Sequence, residues 1–331
     1  MYNFCTLFDS NYLSRGLAMY ESLSRHCKDF HLYVFAFDSK TFEVLRKFNL
    51  SNTTIISLDQ FEDKELLKVK KERSKVEYLW TCSSSIILYV LENYKVDNCT
   101  YLDADIYFFN SPNGLIDEVG NNSVIITKHR YTLKYDQSTT SGIYCVQFVF
   151  FRNDETGIKV LRWWRDTCIK WCYITTESGR FGDQKYLDDW PERFRGVHVL
   201  QHLGGGLAPW NIQQYDFYLK YTQLFGRENK TKKEFEVIFY HFHGLKFLNN
   251  NKVDLGGYEI SKNVINTFYK PYLKHVEKIK RDILSIDNSF DPHGTVRIKK
   301  NLKTIPRYIK RRIIGVIKSN YNIYNISSFG E

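Results

Sequence analysis

The chain has 331 residues, 43% hydrophobic and 25% charged, which is enough to bury a sizeable core and argues against an intrinsically disordered protein. Its formal charge of +10 gathers in the tail, where few aromatics are placed for base stacking, so nucleic-acid binding is not the expected function. No stretch approaches the roughly 18 uninterrupted apolar residues of a membrane span, and seven cysteines with no CxxC or paired Cys/His spacing argue against a zinc site.

Residues 2–8 predict a strand, and Ser14 a helix cap ahead of Leu17, Tyr20, Leu23 and Cys27. A second strand is expected over 31–37, a short helix over 40–48 and a third strand over 54–58. The charged stretch 62–75 leads into a long helix carrying Tyr78, Leu79, Ile86, Leu88 and Leu91, and a strand over 99–103 follows. This alternation predicts a parallel sheet covered by helices, with ligands beyond the C-terminal strand ends. The loop 8–14 and the end of the 99–103 strand lie at that edge.

Further strands are expected over 123–127 and 143–151. Asn153 is expected to cap an amphipathic helix bearing Val160, Leu161, Trp164, Cys168 and Trp171, whose tryptophans read as core rather than as a binding platform. Gly204, Gly205 and Gly206 permit either a close backbone approach or a flexible turn. A strand over 237–240 precedes His241-Phe242-His243-Gly244. The main body is expected to span 1–260, with a basic helical extension over 261–331. From Pro292 to Gly330 there is no acid, while Arg297, Lys299, Lys300, Lys303, Arg307, Lys310, Arg311, Arg312 and Lys318 accumulate; Ile305, Ile309, Ile313, Val316 and Ile317 recur there at helical spacing. A helix of this kind predicts peripheral attachment to an anionic membrane surface. An odd cysteine count, and an apolar opening too short for an export signal, predict reduced thiols and a cytoplasmic location on the inner membrane face.

The sequence that points most directly to chemistry is Cys99-Thr100-Tyr101-Leu102-Asp103-Ala104-Asp105, an apolar strand delivering two carboxylates two residues apart. Such a pair can hold a hard divalent cation and leave positions open for a substrate's phosphates. A neutral imidazole from His241 or His243 suits a manganese-like ion as a further ligand.

In this order the motifs resemble the metal-dependent nucleotide-sugar glycosyltransferases of the GT-A fold, and within them the family 8 type, which includes glycogenin and bacterial lipooligosaccharide galactosyltransferases. The resemblance rests on Cys5-Thr6-Leu7-Phe8-Asp9-Ser10-Asn11-Tyr12 with Arg15-Gly16, Tyr101–Asp105, Gly182-Asp183-Gln184, Pro209-Trp210-Asn211, and His241-x-x-Gly244 followed by Lys246. The run from Gly182 to Pro191 resembles a narrower set of glycosyltransferases from bacterial polysaccharide clusters. Tyr144-Cys145-Val146-Gln147 departs from the family's Asn-Ala-Gly, so sugar contacts made there are not carried over.

The resemblance implies an α/β fold with a Rossmann-like mixed sheet flanked by helices. It implies Mn2+ or Mg2+ on Asp103, Asp105 and His241, and a nucleotide-sugar donor, UDP favoured. Thr6, Phe8, Asn11 and Tyr12 would hold the nucleoside, Ala104, His243, Gly244 and Lys246 would flank the phosphates, and Asp183 and Gln184 would meet the sugar. The partner would be a glycan or lipid-linked acceptor in bacterial surface polysaccharide synthesis, with retention of configuration. A sugar nucleotidyltransferase is the competing enzyme class, but it would want a Gly-rich basic phosphate loop, and residues 8–16 do not supply one. A non-catalytic peripheral membrane module is the non-enzyme alternative.

Overall fold

The computed structural model describes residues 1–297 and 322–329. Strand β1 (Tyr2–Phe8) shows why a central sheet forms. Its alternating side chains send Phe4 and Phe8 into one core, and Cys5 and Leu7 into another. A strand buried on both faces in this way belongs inside a sheet covered on both sides. A turn over Ser10–Tyr12, capped by the Asp9 carboxylate, leads into α1 (Leu13–His26). Ser14 therefore lies inside the helix rather than capping it, and its hydroxyl hydrogen-bonds the Pro292 carbonyl.

Next come β2 (Phe30–Ala36), α2 (Ser39–Phe48) and β3 (Thr53–Ser57). The charged stretch then forms two short helices, α3 (Leu58–Phe61) and α4 (Lys64–Lys70), before α5 (Lys75–Tyr94) starts on a reciprocal Ser74–Glu77 capping box. The chain continues through β4 (Asn98–Leu102), β5 (Ile106–Phe108), α6 (Asn113–Asp117), β6 (Val124–Lys128), β7 (Tyr144–Arg152) and α7 (Glu155–Lys170). Asp154, not Asn153, caps α7: its carboxylate accepts from the Gly157 N–H at 2.8 Å, while the Asn153 amide donates to the Val96 carbonyl.

Helix α8 (Trp190–Arg193) and β8 (Val197–Val199) precede a meander of β9 (Tyr215–Lys220), β10 (Gln223–Glu228) and β11 (Glu234–Glu236). Then come β12 (Phe239–His241), β13 (Lys246–Leu248), β14 (Lys252–Asp254), α9 (Lys262–Val264), a π-helical turn, α10 (Lys270–Ile286) and β15 (Ile323–Asn325).

The main sheet has the order β3-β2-β1-β4-β7-β6-β8. Its first four strands are parallel, as the alternation predicts, but β7 runs against both neighbours and makes the sheet mixed. Helices α1, α2 and α10 cover one face; α4, α5 and α7 cover the other. Tyr272, Leu273, Val276, Ile279 and Ile283 of α10 are buried in the same core as Leu13 and Leu17 of α1. The expected basic helix around Ile305–Ile317 lies outside the described residues. No helix among the described residues is long and apolar enough to cross a membrane, and all seven cysteines are free and buried.

Trp164 belongs to the second core, as its helical spacing predicts, and packs there against Trp190 of α8. Trp164 and Trp190 are fully buried edge to face, 5.5 Å between ring centroids, and the Trp164 indole donates to the Asp183 carbonyl. Trp164→Ala is expected to lower stability by about 3–5 kcal/mol, through the cavity and the orphaned carbonyl. Urea unfolding of the two proteins at equal pH measures this, and a loss under about 1 kcal/mol contradicts the packing described.

Candidate functional site

Strand β4 ends at Leu102, so Asp103, Ala104 and Asp105 occupy the turn between β4 and β5 at the C-terminal edge of the parallel strands. Three hydrogen bonds fix that turn. The Asp103 N–H donates to the Gln147 carbonyl at 3.1 Å, the Ile106 N–H to the Asp103 carbonyl at 3.4 Å, and the Phe242 N–H to the Asp105 carbonyl at 2.9 Å. Strand β5 pairs antiparallel with β12, setting His241 opposite Ile106. A distant stretch of chain thereby brings an imidazole to the carboxylate pair.

One ligand-type atom from each of Asp103, Asp105 and His241 lies within 4.8 Å of the others. His241 Nε2 is 3.1 Å from Asp105 Oδ1 and 3.7 Å from Asp103 Oδ2. Surrounded by protein, the two carboxylate side chains still keep 29% and 15% of their surface open, so the cluster is partly open to solvent rather than sealed in the core.

The electrostatics follow from that crowding. Burial works against charge on His241, but Asp105, by both charge and hydrogen bond, Cys145 by hydrogen bond and Asp103 by charge outweigh it and hold the imidazole well above its usual range. Burial also works against the charged form of Asp105, and His241, His243 and Arg15 overcome it, holding this carboxyl below its usual range. Asp103 moves the other way: burial and the neighbouring Asp105 push it up against the pull of His241 and a 3.0 Å bond from the Tyr101 hydroxyl. Two acids and one imidazole close together offer two hard oxygens and one borderline nitrogen. That donor set suits Mn2+ or Mg2+ and is too poor in sulfur for a structural zinc site.

The remaining expected residues fall at varied distances from this cluster. His243 is exposed, its ring edge-on to Trp210 at 5.2 Å and to His241 at 5.6 Å. Gly244, at φ +75, makes the turn into β13, whose first residue, Lys246, is exposed. Tyr12 is 40% exposed with the Arg15 guanidinium 4.3 Å from its ring centroid, so one face carries a cation already. The charges of Asp105 and Asp103 are felt at its hydroxyl.

Asn11 is exposed and held by Asp9. Thr6 and Phe8 are buried in and beside the sheet; the Phe8 carbonyl already accepts from the Phe37 N–H at 2.9 Å, and its ring fills the space a Cβ on Gly16 would need. Asp183 is buried beside the field of Asp103, whereas the Gln184 amide donates to the Ser141 carbonyl at 2.7 Å.

The three glycines are there for close approach, not for a free turn. A Cβ on Gly204 would lie 1.8 Å from the Glu236 carbonyl oxygen. Arg130 gathers the carbonyls of Leu200, His202, Leu203 and Gly205 around the loop. The loop then runs on to Leu207, whose carbonyl accepts the His241 N–H at 2.8 Å. Trp210 and Asn211 both donate to the His129 carbonyl, which locks the Trp210 ring against His241 and His243.

Gln147 is a residue that sequence reasoning assigned no role at the site. It is fully buried on β7, and its Oε1 is 2.7 Å from His241 Nδ1.

No protein-family model matches the chain. The crystal structure of the galactosyltransferase LgtC, in complex with donor and acceptor sugar analogs, superposes with a TM-score of 0.53 at 12% identity over 83% of this chain and 95% of that one. The overall fold is thus that of the GT-A glycosyltransferases. By sequence, the chain is 26% identical to the uncharacterised protein YfnF of Bacillus subtilis (strain 168) over 258 residues, 76% of this chain and 84% of YfnF. It is 31% identical to the uncharacterised protein YfnD of the same organism over 297 residues, 87% of this chain and 92% of YfnD. With that identity sustained across nearly the whole of both proteins, the chain belongs to the family of YfnD.

Proposed function

We propose that the chain is a metal-dependent glycosyltransferase of the family 8 type, moving a sugar from a nucleoside diphosphate, UDP favoured, to a glycan or lipid-linked acceptor in bacterial surface polysaccharide synthesis. The observation that carries this reading is the Asp103–Asp105–His241 cluster at the sheet's C-terminal edge. When bound there, a divalent ion supplies Lewis-acid neutralisation of the charge that develops on a departing diphosphate.

The chain's own residues divide the remaining work. Asp103 and Asp105 present oxygens and His241 its Nε2, each held by the backbone bonds of the β4–β5 turn and β12. Ala104 between them is nearly buried and leaves room for two carboxylates on one side of the turn. His243, Gly244 and the exposed Lys246 form the rim on which phosphate oxygens would rest, with Lys246 the cation that meets charge leaving the sugar. Tyr12 offers its open face to a uracil-like ring, and Asn11 and the β1 end bearing Thr6 and Phe8 border the same position. Asp183 accepts hydrogen bonds from sugar hydroxyls, with Gln184 beside it. With retention, the departing phosphate takes the acceptor's proton and no side chain need act as a strong base; an inverting reaction would make Asp183 that base. The acid-free basic tail supports attachment to an anionic cytoplasmic membrane face.

Incubation of the full chain with a panel of nucleotide sugars, with Mn2+ or with EDTA, tests the reading. Release of free nucleotide from a UDP-sugar is expected with Mn2+, falling to background with EDTA. A panel that yields no metal-dependent release from any donor rejects it.

A further inference from the structure

Gln147 touches two of the three residues in the cluster. Its backbone carbonyl accepts the Asp103 N–H at 3.1 Å, and its side-chain Oε1 lies 2.7 Å from His241 Nδ1. The residue is fully buried, and its Nε2 has no hydrogen-bond partner among the described residues. Space for the side chain depends on the glycine loop: a Cβ on Gly206 would lie 3.2 Å from Gln147 Nε2 and 2.8 Å from Thr127 Cγ2. A buried amide that leaves its own donor unsatisfied is costly. Here the side chain is committed to one contact, the acceptor on the imidazole.

A neutral imidazole carries a single ring proton, and a carbonyl oxygen can only accept. With Oε1 against Nδ1 a proton is kept on Nδ1, so the proton a metal ion would displace is the one on Nε2, the nitrogen 3.1 and 3.7 Å from the two carboxylates, and its lone pair would then face the ion. The same bond limits rotation of the ring away from them. We infer that Gln147 is a positioning residue for the metal centre: it fixes the His241 tautomer and ring orientation while adding no charge of its own. This inference rests on the metal-dependent reading above. The absence of charge has a consequence. A carboxylate at this position would orient the ring equally well and make Nε2 a stronger donor, but would put a third acid beside Asp103 and Asp105. The neutral amide would leave more of a bound cation's charge for an anionic ligand reaching it.

Calorimetric titration of the metal-free full chain with Mn2+ alone, with melting temperatures of the metal-free proteins alongside, provides the test. Gln147→Met keeps the length and removes the acceptor, and is expected to weaken Mn2+ binding about 10–100-fold. Its metal-free melting temperature is expected to stay close to that of the parent, since the unsatisfied amide goes too. Gln147→Glu restores the acceptor, and is expected to bind Mn2+ at least as tightly as the parent. Parent-like affinity in Gln147→Met overturns the inference, and so does a Gln147→Glu protein that binds more weakly than the parent. If the unaltered chain itself fails to bind Mn2+, the metal-dependent reading falls and this inference with it. Should Gln147→Met not fold, the Gln147→Glu affinity decides alone.

Discussion

Asp105→Asn is expected to abolish metal-dependent release of nucleotide from the sugar donor, a loss of at least about 1,000-fold, or roughly 4 kcal/mol of transition-state stabilisation. The size follows from where Asp105 sits. It is the acid closest to His241, at 3.1 Å, and the one held in its charged form by His241, His243 and Arg15 together. An amide of the same shape keeps the turn, because the Asp105 backbone carbonyl still accepts the Phe242 N–H. It removes the negative charge a hard cation requires.

In the metal-free protein the substitution takes away the His241 ion pair, but it also relieves the repulsion between two neighbouring acids. These effects oppose, and a change in melting temperature of no more than a few degrees is expected. Turnover and Mn2+ affinity should therefore collapse while the fold persists, as followed by circular dichroism and calorimetry on the same sample. Turnover within tenfold of the parent would remove Asp105 from the proposed centre.

How far the sequence leads can be traced through particular residues. The apolar runs located β1, β2, β4, β6 and β7 to within a residue or so, because strands buried on both faces leave a continuous hydrophobic signature; the half-buried edge strand β3 was placed as closely. The start of α7 was legible to within one residue, but its cap was not: Asp154 caps it in place of the Asn153 expected. The Asp-x-Asp turn was legible because a strand end and a charge pair are both local.

The reversal of β7 was not, since it depends on how the chain returns across residues 129–143 rather than on the strand itself. Nor did the strand expected over 237–240 reveal its role. Only pairing of β12 with β5 places His241, and not His243, within reach of both acids. Gln147 was invisible for a related reason: an amide inside an apolar strand reads as a lone polar residue until the register of β7 against β4 sets it beside Asp103 and His241. The position of Lys246 likewise depends on a turn at Gly244 that the spacing from His241 does not define.

Asp183 carries the second large expectation, in which stability and activity move in opposite directions. Its carboxyl is buried, and burial first, then the charge of Asp103, pushes its pKa up to about 7, against hydrogen bonds from Ser83 and the backbone. In the unfolded chain the same group returns to its ordinary value of 3.8. Between those two pH values the folded protein binds a proton that the unfolded chain has released, so stability falls as pH rises from about 4 to about 7 and stays reduced above that.

Asp183→Asn removes the ionisable group. In metal-free protein its melting temperature should match the parent near pH 4 and exceed it increasingly toward pH 8. The gain there is about 1–3 kcal/mol, less than the full linkage of roughly 4 kcal/mol because an amide cannot accept every hydrogen bond the carboxylate does. Nucleotide release should fall about 100-fold or more if the carboxylate meets the sugar as proposed, since the amide keeps the shape and loses the charged acceptor. Melting curves across the pH range in EDTA, beside turnover with Mn2+, separate the two effects. A gap that closes toward pH 8 refutes the electrostatic account, and full turnover refutes the role at the sugar. A stabilised variant with lost activity would identify Asp183 as an acid that the fold keeps at a cost to its stability because the chemistry uses it.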